Sequence, residues 1–571
     1  MFKRVCGIVL CVFMLGLTAC GGGGQSQTTA APAAAETTAA PATTTAAAAE
    51  PATTAAEKAV EFDMLKEPWD TAYPETIKIT MVNREQSTLI FPDGGTQEDN
   101  LWFQCMKNRL NIQLVNDWIS AEYDTSLNLA IASQNLPDIY FVKNPQFKQV
   151  VDAGLAYDIT DVYNALASET LRKFNDTDKT VLEAAMRNGR IMGQPRIGWG
   201  NNVDRPCFIW LRQDWMKELV GSNDPPGSID AFVDIVRQMN ETYGTKGMAL
   251  EKTIDWILQI APSWRAYPLI WVDVNGSIEY GGIQPEMKSA LETWAKWYAE
   301  GLIAPEFAAK DFDAMSQDII NGVHGAFPMW QWAGWSFGAD SVRNNGQEAW
   351  FRPYLVPTVD GSQQMVPIKF DNGDEVIIVN KDCKYPEAAI KLIDMYVYIE
   401  NDSYPHDVKT VEEYSKYNDN DMQHYLPFRV NNPLGEYTQY LETQYALAHD
   451  RDTTHFTNTM GLNKYNNTIL WLDDHDPDGL GCAMQVGATD ICAYALAEPY
   501  FLNNWFLKSK MWGPSPDALL RYGSTLQDQL IEGYTKIIMG VEPIEYFDKL
   551  VDEWKTAGGA EVTDAVNAEY K

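Results

Sequence analysis

Thr76-Ile-Lys-Ile-Thr-Met-Val82, followed by Asn83-Arg84-Glu85-Gln86-Ser87, is the stretch on which the fold turns. Its first half alternates apolar and polar residues like a strand, and its second half is a polar break. Glu98 to Leu110 then has helical periodicity, Asn111-Ile-Gln-Leu-Val115 reads as a second strand, and Tyr123 to Ser133 as a second helix. Leu136-Pro-Asp-Ile-Tyr-Phe-Val142 is a third strand, and Phe147 to Asp152 a short helix closed by Gly154. This β-α-β-α-β-α order predicts a parallel, doubly wound sheet. Open α/β sheets bind ligands at the carboxyl ends of their strands. That rule selects Asn83, Arg84 and Glu85 after the first strand, and Lys143 and Asn144 after the third.

Outward from that core, the 571 residues carry 44 Lys plus Arg against 78 Asp plus Glu, a formal net charge of −34. So acidic a chain is a poor partner for DNA or RNA, whose phosphates demand clustered cations. It is equally unsuited to holding anionic lipid by charge alone. Hydrophobic residues make up 45% and aromatic ones 12%, enough for a large core and two to four domains.

The N-terminus sets the expected compartment. Met1-Phe2-Lys3-Arg4 is cationic, and Val5 to Leu17 is an apolar run of 13 residues. A membrane span needs roughly 20, so this run reads as the hydrophobic part of a signal peptide, residues 1–19. Leu17-Thr18-Ala19-Cys20 resembles a bacterial lipobox, which implies acylation of Cys20 and anchorage at the extracellular face of the cell membrane. Residues 20–60 are mostly Ala, Thr, Pro and Gly, too polar and small to pack. They are expected to form a disordered tether. Of the other cysteines, Cys105, Cys207, Cys383, Cys482 and Cys492 remain after cleavage. That number is odd, and only Cys482 and Cys492 are near enough in sequence to suggest a pair; buried thiols are the alternative.

Further on, Cys207-Phe-Ile-Trp-Leu211, Gly322 to Trp330 and Glu375-Val-Ile-Ile-Val-Asn380 read as strands, with helices between them. Several strings then bear comparison with a known family: Asn135-Leu-Pro-Asp-Ile-Tyr140, Gly154-Leu-Ala-Tyr-Asp-Ile-Thr160, Gly189-Arg-Ile-Met-Gly-Gln-Pro195, Trp210-Leu-Arg-Gln-Asp-Trp215, Glu300-Gly-Leu-Ile-Ala-Pro-Glu-Phe307 and Trp554-Lys-Thr-Ala-Gly-Gly559. In this order they resemble the extracellular solute-binding proteins of ABC importers, family 1, the maltose-binding-protein-like sugar binders, in their large Gram-positive lipoprotein subgroup. The resemblance implies an α/β, two-lobed periplasmic-binding-protein-like fold of type II, hinge-linked, each lobe a doubly wound sheet. It places residues 61–200 plus 360–430 in the N-terminal lobe and 201–359 plus 431–571 in the C-terminal lobe. Crossovers are expected near Pro195–Arg205, near Val356–Ile368 and within 400–435.

A sugar offers apolar C–H faces and a rim of hydroxyls, so its cleft needs aromatic platforms and polar side chains. The resemblance favours Trp330 and Trp332, in Trp330-Gln-Trp-Ala-Gly-Trp335, as stacking rings. Trp335, Trp199 between two glycines, Trp264 and Tyr267 are further candidates. Arg205 and Asp371 join the polar set, and Trp471, Asp473 and Trp512 come from the long C-terminal region. Asp474, Asp476 and Asp478 have the spacing of a calcium loop, but position 12 is Gln485 where a bidentate Glu belongs. No metal and no cofactor is expected.

No nucleophile elbow, phosphate loop or dinucleotide fingerprint is present. The resemblance implies capture rather than catalysis: a monomeric, membrane-anchored receptor that takes a carbohydrate between its lobes and hands it to ABC transporter permease subunits. A receptor for peptide or another small solute is the alternative, and a surface carbohydrate-active enzyme a more distant one.

Overall fold

Asn100 accepts a hydrogen bond from the Phe103 amide at 3.1 Å, which starts helix α1 (Leu101–Leu110) where its first apolar residues begin. Asn111 ends it in the left-handed region, φ 57°, and turns the chain straight into a strand. In the computed structural model the described residues are 69–85, 91, 95–177, 179–197, 206–368, 375–399, 426, 428–487, 491–512 and 515–571. Cys20, the tether, Trp199, Arg205 and Asp371 lie outside them.

The opening strands are β1 (Ile77–Arg84), β2 (Ile112–Ser120) and β3 (Ile139–Lys143). Between and after them come α2 (Tyr123–Ser133) and α3 (Asn144–Asp152). The sheet runs β2-β1-β3, then strand Glu375–Val379, then strand Gln194–Pro195. β1 is parallel to both neighbours, and strand 375–379 is antiparallel to both of its own. Gly193 allows the edge strand in: a Cβ there would sit 2.6 Å from Val376 Cγ1 and 2.7 Å from the Ile377 carbonyl. β1 runs two residues beyond its apolar alternation, and β2 five. The Asn83 amide donates to the Asn116 side chain at 3.0 Å, and the β1–β2 register skips Asp117. A cross-strand polar pair with a bulge thus keeps the ladder going where hydrophobicity alone would stop it.

A second sheet is built around Phe208–Arg212, with Ala326–Met329 and Phe351–Leu355 on either side. Both flanking strands are antiparallel to the centre, so this sheet departs from a doubly wound arrangement. The apolar clusters keep to the same division. Two clusters cover the faces of the first sheet and draw on residues 73–197 and 376–430. One large cluster, with Trp210, Trp294 and Phe327 fully buried, draws only on residues 207–566. Among the described residues no cluster mixes the two sets, which makes the molecule two-lobed.

The chain passes between the lobes after Ile197, again between Ile368 and Glu375, and finally after Asn431. The second passage comes later than the expected 356–368. Val366–Ile368 pairs in parallel with Phe506–Lys508 and so still belongs to the second lobe. At the third passage the Asn431 amide donates to the Ile197 carbonyl at 3.0 Å, so the first and third crossings meet at that point.

Trp294 has no exposed surface and lies against Trp264 at the centre of the second lobe. Trp294→Ala should lower the unfolding free energy by about 3–5 kcal/mol in urea titration. A loss below about 1 kcal/mol would mean that the core collapses around the gap.

Candidate functional site

The rim of the first sheet is where all three passages leave or arrive. Arg84 is the last residue of β1 and Lys143 the last of β3. Glu375 opens the antiparallel neighbour, and Arg196 directly follows the edge strand. Topology therefore delivers four charged side chains from distant parts of the chain to one edge. Glu375 joins them: Arg84 lies 2.6 Å from one of its oxygens and Arg196 bonds the other. Burial alone would push the Glu375 carboxyl up, but the charges of Arg196 and then Arg84 outweigh it and hold it below the ordinary value. Asp124, at the start of α2, accepts Lys143 at 2.7 Å and lies 3.8 Å from Arg84.

Aromatic rings brace these cations. Tyr123 and Phe141 stack at 4.3 Å and 5°. The Arg84 guanidinium sits 4.9 Å from the centre of each ring, and that of Arg196 sits 4.4 Å over Phe141. Arg429, two residues before Asn431, completes the group. Burial, and then the positive charge of Arg196, bring it down to about 10, so it stays cationic at neutral pH. Its Nε has no hydrogen-bond partner among the described residues.

The corresponding edge of the second lobe carries the start of strand Phe208–Arg212 and the end of strand Ala326–Met329, which runs into Trp330-Gln331-Trp332. Both Trp330 and Trp332 are half-buried and meet Trp256 edge to face, at 5.4 and 5.7 Å. Between them Gln331 donates to Glu436 at 2.7 Å, and Glu436 also receives the Tyr494 hydroxyl at 2.7 Å. The Gln331 side-chain oxygen, buried, has no donor among the described residues. One lobe thus offers charge and the other offers rings and an amide.

Of the residues chosen from sequence, Arg84 and Lys143 belong to the charged cluster, and Trp330 and Trp332 to the aromatic edge. Asn83 is buried at 2% exposure and committed to Asn116. Glu85 is exposed beside the cluster, and Asn144 begins α3. Trp335 is partly exposed, with its indole N–H on Gln485 at 2.9 Å. Trp512 is also partly exposed, against Tyr570. Four choices fall elsewhere. Trp264 is core, bonded to Thr293 and packed on Trp294 and Trp297. Trp471 is core beside Trp350, and Asp473 is spent on a surface pair with Arg451 at 2.7 and 2.8 Å. Tyr267 lines a separate surface groove with Arg265 and Lys510. Residue type flagged these four, but packing and pairing had other uses for them. Arg196, Glu375, Arg429, Asp124, Trp256 and Gln331 were not singled out. For Arg196 and Glu375 the available signal was their place at strand ends.

The five cysteines among the described residues are buried and form no disulfide, and burial pushes the Cys482 and Cys492 thiols up to about 12. The Asp474–Asp478 turn is a helix start: Asp476 accepts from the Asp478 amide at 3.0 Å, and Asp478 pairs with Arg343.

Two α/β lobes crossed three times by the chain, with polar and aromatic edges at the crossings, define a hinged ligand-binding protein. The chain belongs to the bacterial extracellular solute-binding proteins, whose family model matches residues 106–397, just over half of its length. These are ABC-transport binding proteins, not enzymes. It is 25% identical over 225 residues to "Lipoprotein LipO" of Bacillus subtilis (strain 168), a match covering 36% of this chain and spanning 42% of that relative's length. Solved structures agree on the fold. The alginate-binding protein AlgQ2 aligns with a TM-score of 0.57 at 14% identity, over 88% of this chain and 99% of its own. A solute-binding protein from Bifidobacterium longum infantis, described as binding HMO, gives 0.56 at 13% over 86% and 98%. The S. pneumoniae protein FusA, solved with fructo-nystose, gives 0.54 at 12% over 86% and 99%.

Two carboxylates here have opposite pH consequences. Glu375, held low, adds stability that is present above the ordinary carboxylate range and is lost as pH falls through its lowered value. Glu442, in the helix Gly435–Ala448, is pushed by burial up to about 7, despite hydrogen bonds from the Thr457 amide and hydroxyl. Its contribution is full below about 4.5 and disappears as pH rises through about 7. Glu442→Gln should therefore stabilise the protein at pH 8, by about 2–3 kcal/mol, and flatten the stability profile between pH 5 and 8. Equal melting of both proteins at pH 8 would show that Glu442 ionises freely. Glu375→Gln, by contrast, should cost about 3 kcal/mol at pH 7, because two guanidiniums lose their counter-ion. Thermal unfolding reads both variants.

Proposed function

We propose that this protein is the lipid-anchored receptor of an ABC importer, tethered through Cys20, that captures an oligosaccharide between its lobes and delivers it to the permease. The edges at the crossings carry the reading: a cluster of charged and hydrogen-bonding groups on one lobe, and Trp330 and Trp332 flanking Gln331 on the other. Hydroxyls suit the first set and C–H faces the second. Closure follows if the ligand touches both edges in the shut state and only one in the open state. Structural neighbours described as binding alginate, HMO and fructo-nystose support the carbohydrate class, and the match to a lipoprotein supports the anchor. No helix among the described residues is long and apolar enough to cross a membrane.

Titration calorimetry of the purified chain against an oligosaccharide panel, with peptides of similar size in parallel, tests the reading. The expected outcome is stoichiometric saccharide binding at micromolar or tighter Kd, the saccharide recovered unchanged. Trp330→Ala and Trp332→Ala should each weaken binding by about tenfold or more, the loss of one ring contact. Peptide binding with no saccharide response would replace the substrate class.

A further inference from the structure

Within a chain of net charge −34, the described residues of the first-lobe rim are locally positive. Arg84, Lys143, Arg196 and Arg429 share two carboxylates, Asp124 and Glu375. Glu85 is exposed next to Arg84 but takes no part in these pairs. Both Glu375 oxygens are already occupied by Arg84 and Arg196, and Asp124 by Lys143. Arg429 is left over. It is half-buried, its Nε is buried without a partner, and it has no ion pair among the described residues; Arg196 and Arg84 repel it, and Glu375, already paired with both, attracts it from beyond ion-pair distance. Arg196 Nε is also buried without a partner. A buried guanidinium without a counter-ion is costly, and a second and third beside it raise the cost. Such a group persists where an anion completes it. Its planar fork matches a carboxylate in two-point contact.

The position adds a second argument. Arg196 immediately precedes the first crossing, Glu375 follows the second, and Arg429 precedes the third, where Asn431 bonds Ile197. The surplus charge therefore lies at the mouth between the lobes, on the edge that a captured solute would meet.

We propose that Arg84, Arg196 and Arg429 form an anion subsite, and that the solute is an acidic oligosaccharide whose uronic acid carboxylate completes this cluster. The inference rests on the carbohydrate reading above and narrows it. The carboxylate occupies the charged lobe while a neighbouring sugar ring lies on Trp330 or Trp332, so one molecule spans both edges.

The test is calorimetry of the full chain with matched pairs: oligogalacturonates and oligoglucuronates, the same oligomers after carboxyl reduction to the neutral sugars, and acidic peptides of equal charge. The acidic oligomer should bind at least tenfold more tightly than its reduced twin, and this difference should shrink as salt rises from 50 to 500 mM. Arg429→Gln should remove most of the acidic preference, weakening binding of the acidic oligomer far more than that of its reduced twin. Arg429→Lys, which keeps the charge without the fork, should recover part of it, and melting curves of both variants establish that they fold. Equal affinity for acidic and reduced oligomers would overturn the anion subsite and leave the carbohydrate reading intact. Binding of the acidic peptides with no response to any saccharide would overturn both. An acidic preference that survives Arg429→Gln undiminished would overturn the assignment to this cluster.

Discussion

Glu375 sits between two guanidiniums, and much of the first lobe's rim depends on that arrangement. One oxygen holds Arg84 at the end of β1, and the other holds Arg196 at the start of the first crossing. A single carboxylate thereby fixes where two strands end and where the chain departs for the other lobe. The stacked rings of Tyr123 and Phe141 beneath the guanidiniums limit their freedom further. Buried ion pairs of this kind contribute little net stability, because desolvation offsets most of the attraction. Their value lies in geometry: charges that cannot reorient in response to solvent are ready for a ligand without further ordering.

The division of apolar residues explains how such a rim can coexist with motion. Each lobe buries its own core, and no apolar cluster among the described residues bridges them. Among the described residues, contact between lobes includes the ion pair of Lys148, on α3, with Asp517 at 3.4 Å. Lys148 is one-third and Asp517 mostly exposed, so this pair is worth well under 1 kcal/mol. Relative movement of the lobes therefore leaves both cores as they are. A solute that binds one arrangement of the lobes better than another can then decide which prevails.

How much of this was legible in sequence depends on the range of the contacts involved. The first three strands and their helices follow from local periodicity, and the strand-end rule picked out Arg84 and Lys143 directly. Glu375, Arg196 and Arg429 stand far apart in the chain, and only the completed sheet order puts them together. The second crossing was placed too early because the pairing of Val366–Ile368 with Phe506–Lys508 spans about 140 residues and leaves no local trace. Tryptophan shows the same limit from another side. Trp264, Trp330 and Trp471 look alike as letters, yet Trp264 and Trp471 fill a core, and Trp330 stands half-buried at a strand end. Residue chemistry says what a ring can do, and burial says whether it is free to do it.

Asn567, in the last helix of the chain, donates to the Ile278 carbonyl at 2.7 Å and accepts from the Ile278 amide at 2.9 Å. A side-chain amide thus takes the place of a neighbouring strand on the hairpin Trp271–Tyr280. The hairpin is thus completed only by a helix 289 residues further along the chain. Pairings of such long sequence separation come late in folding, because the loop between them must be closed before the contact offsets the entropy lost.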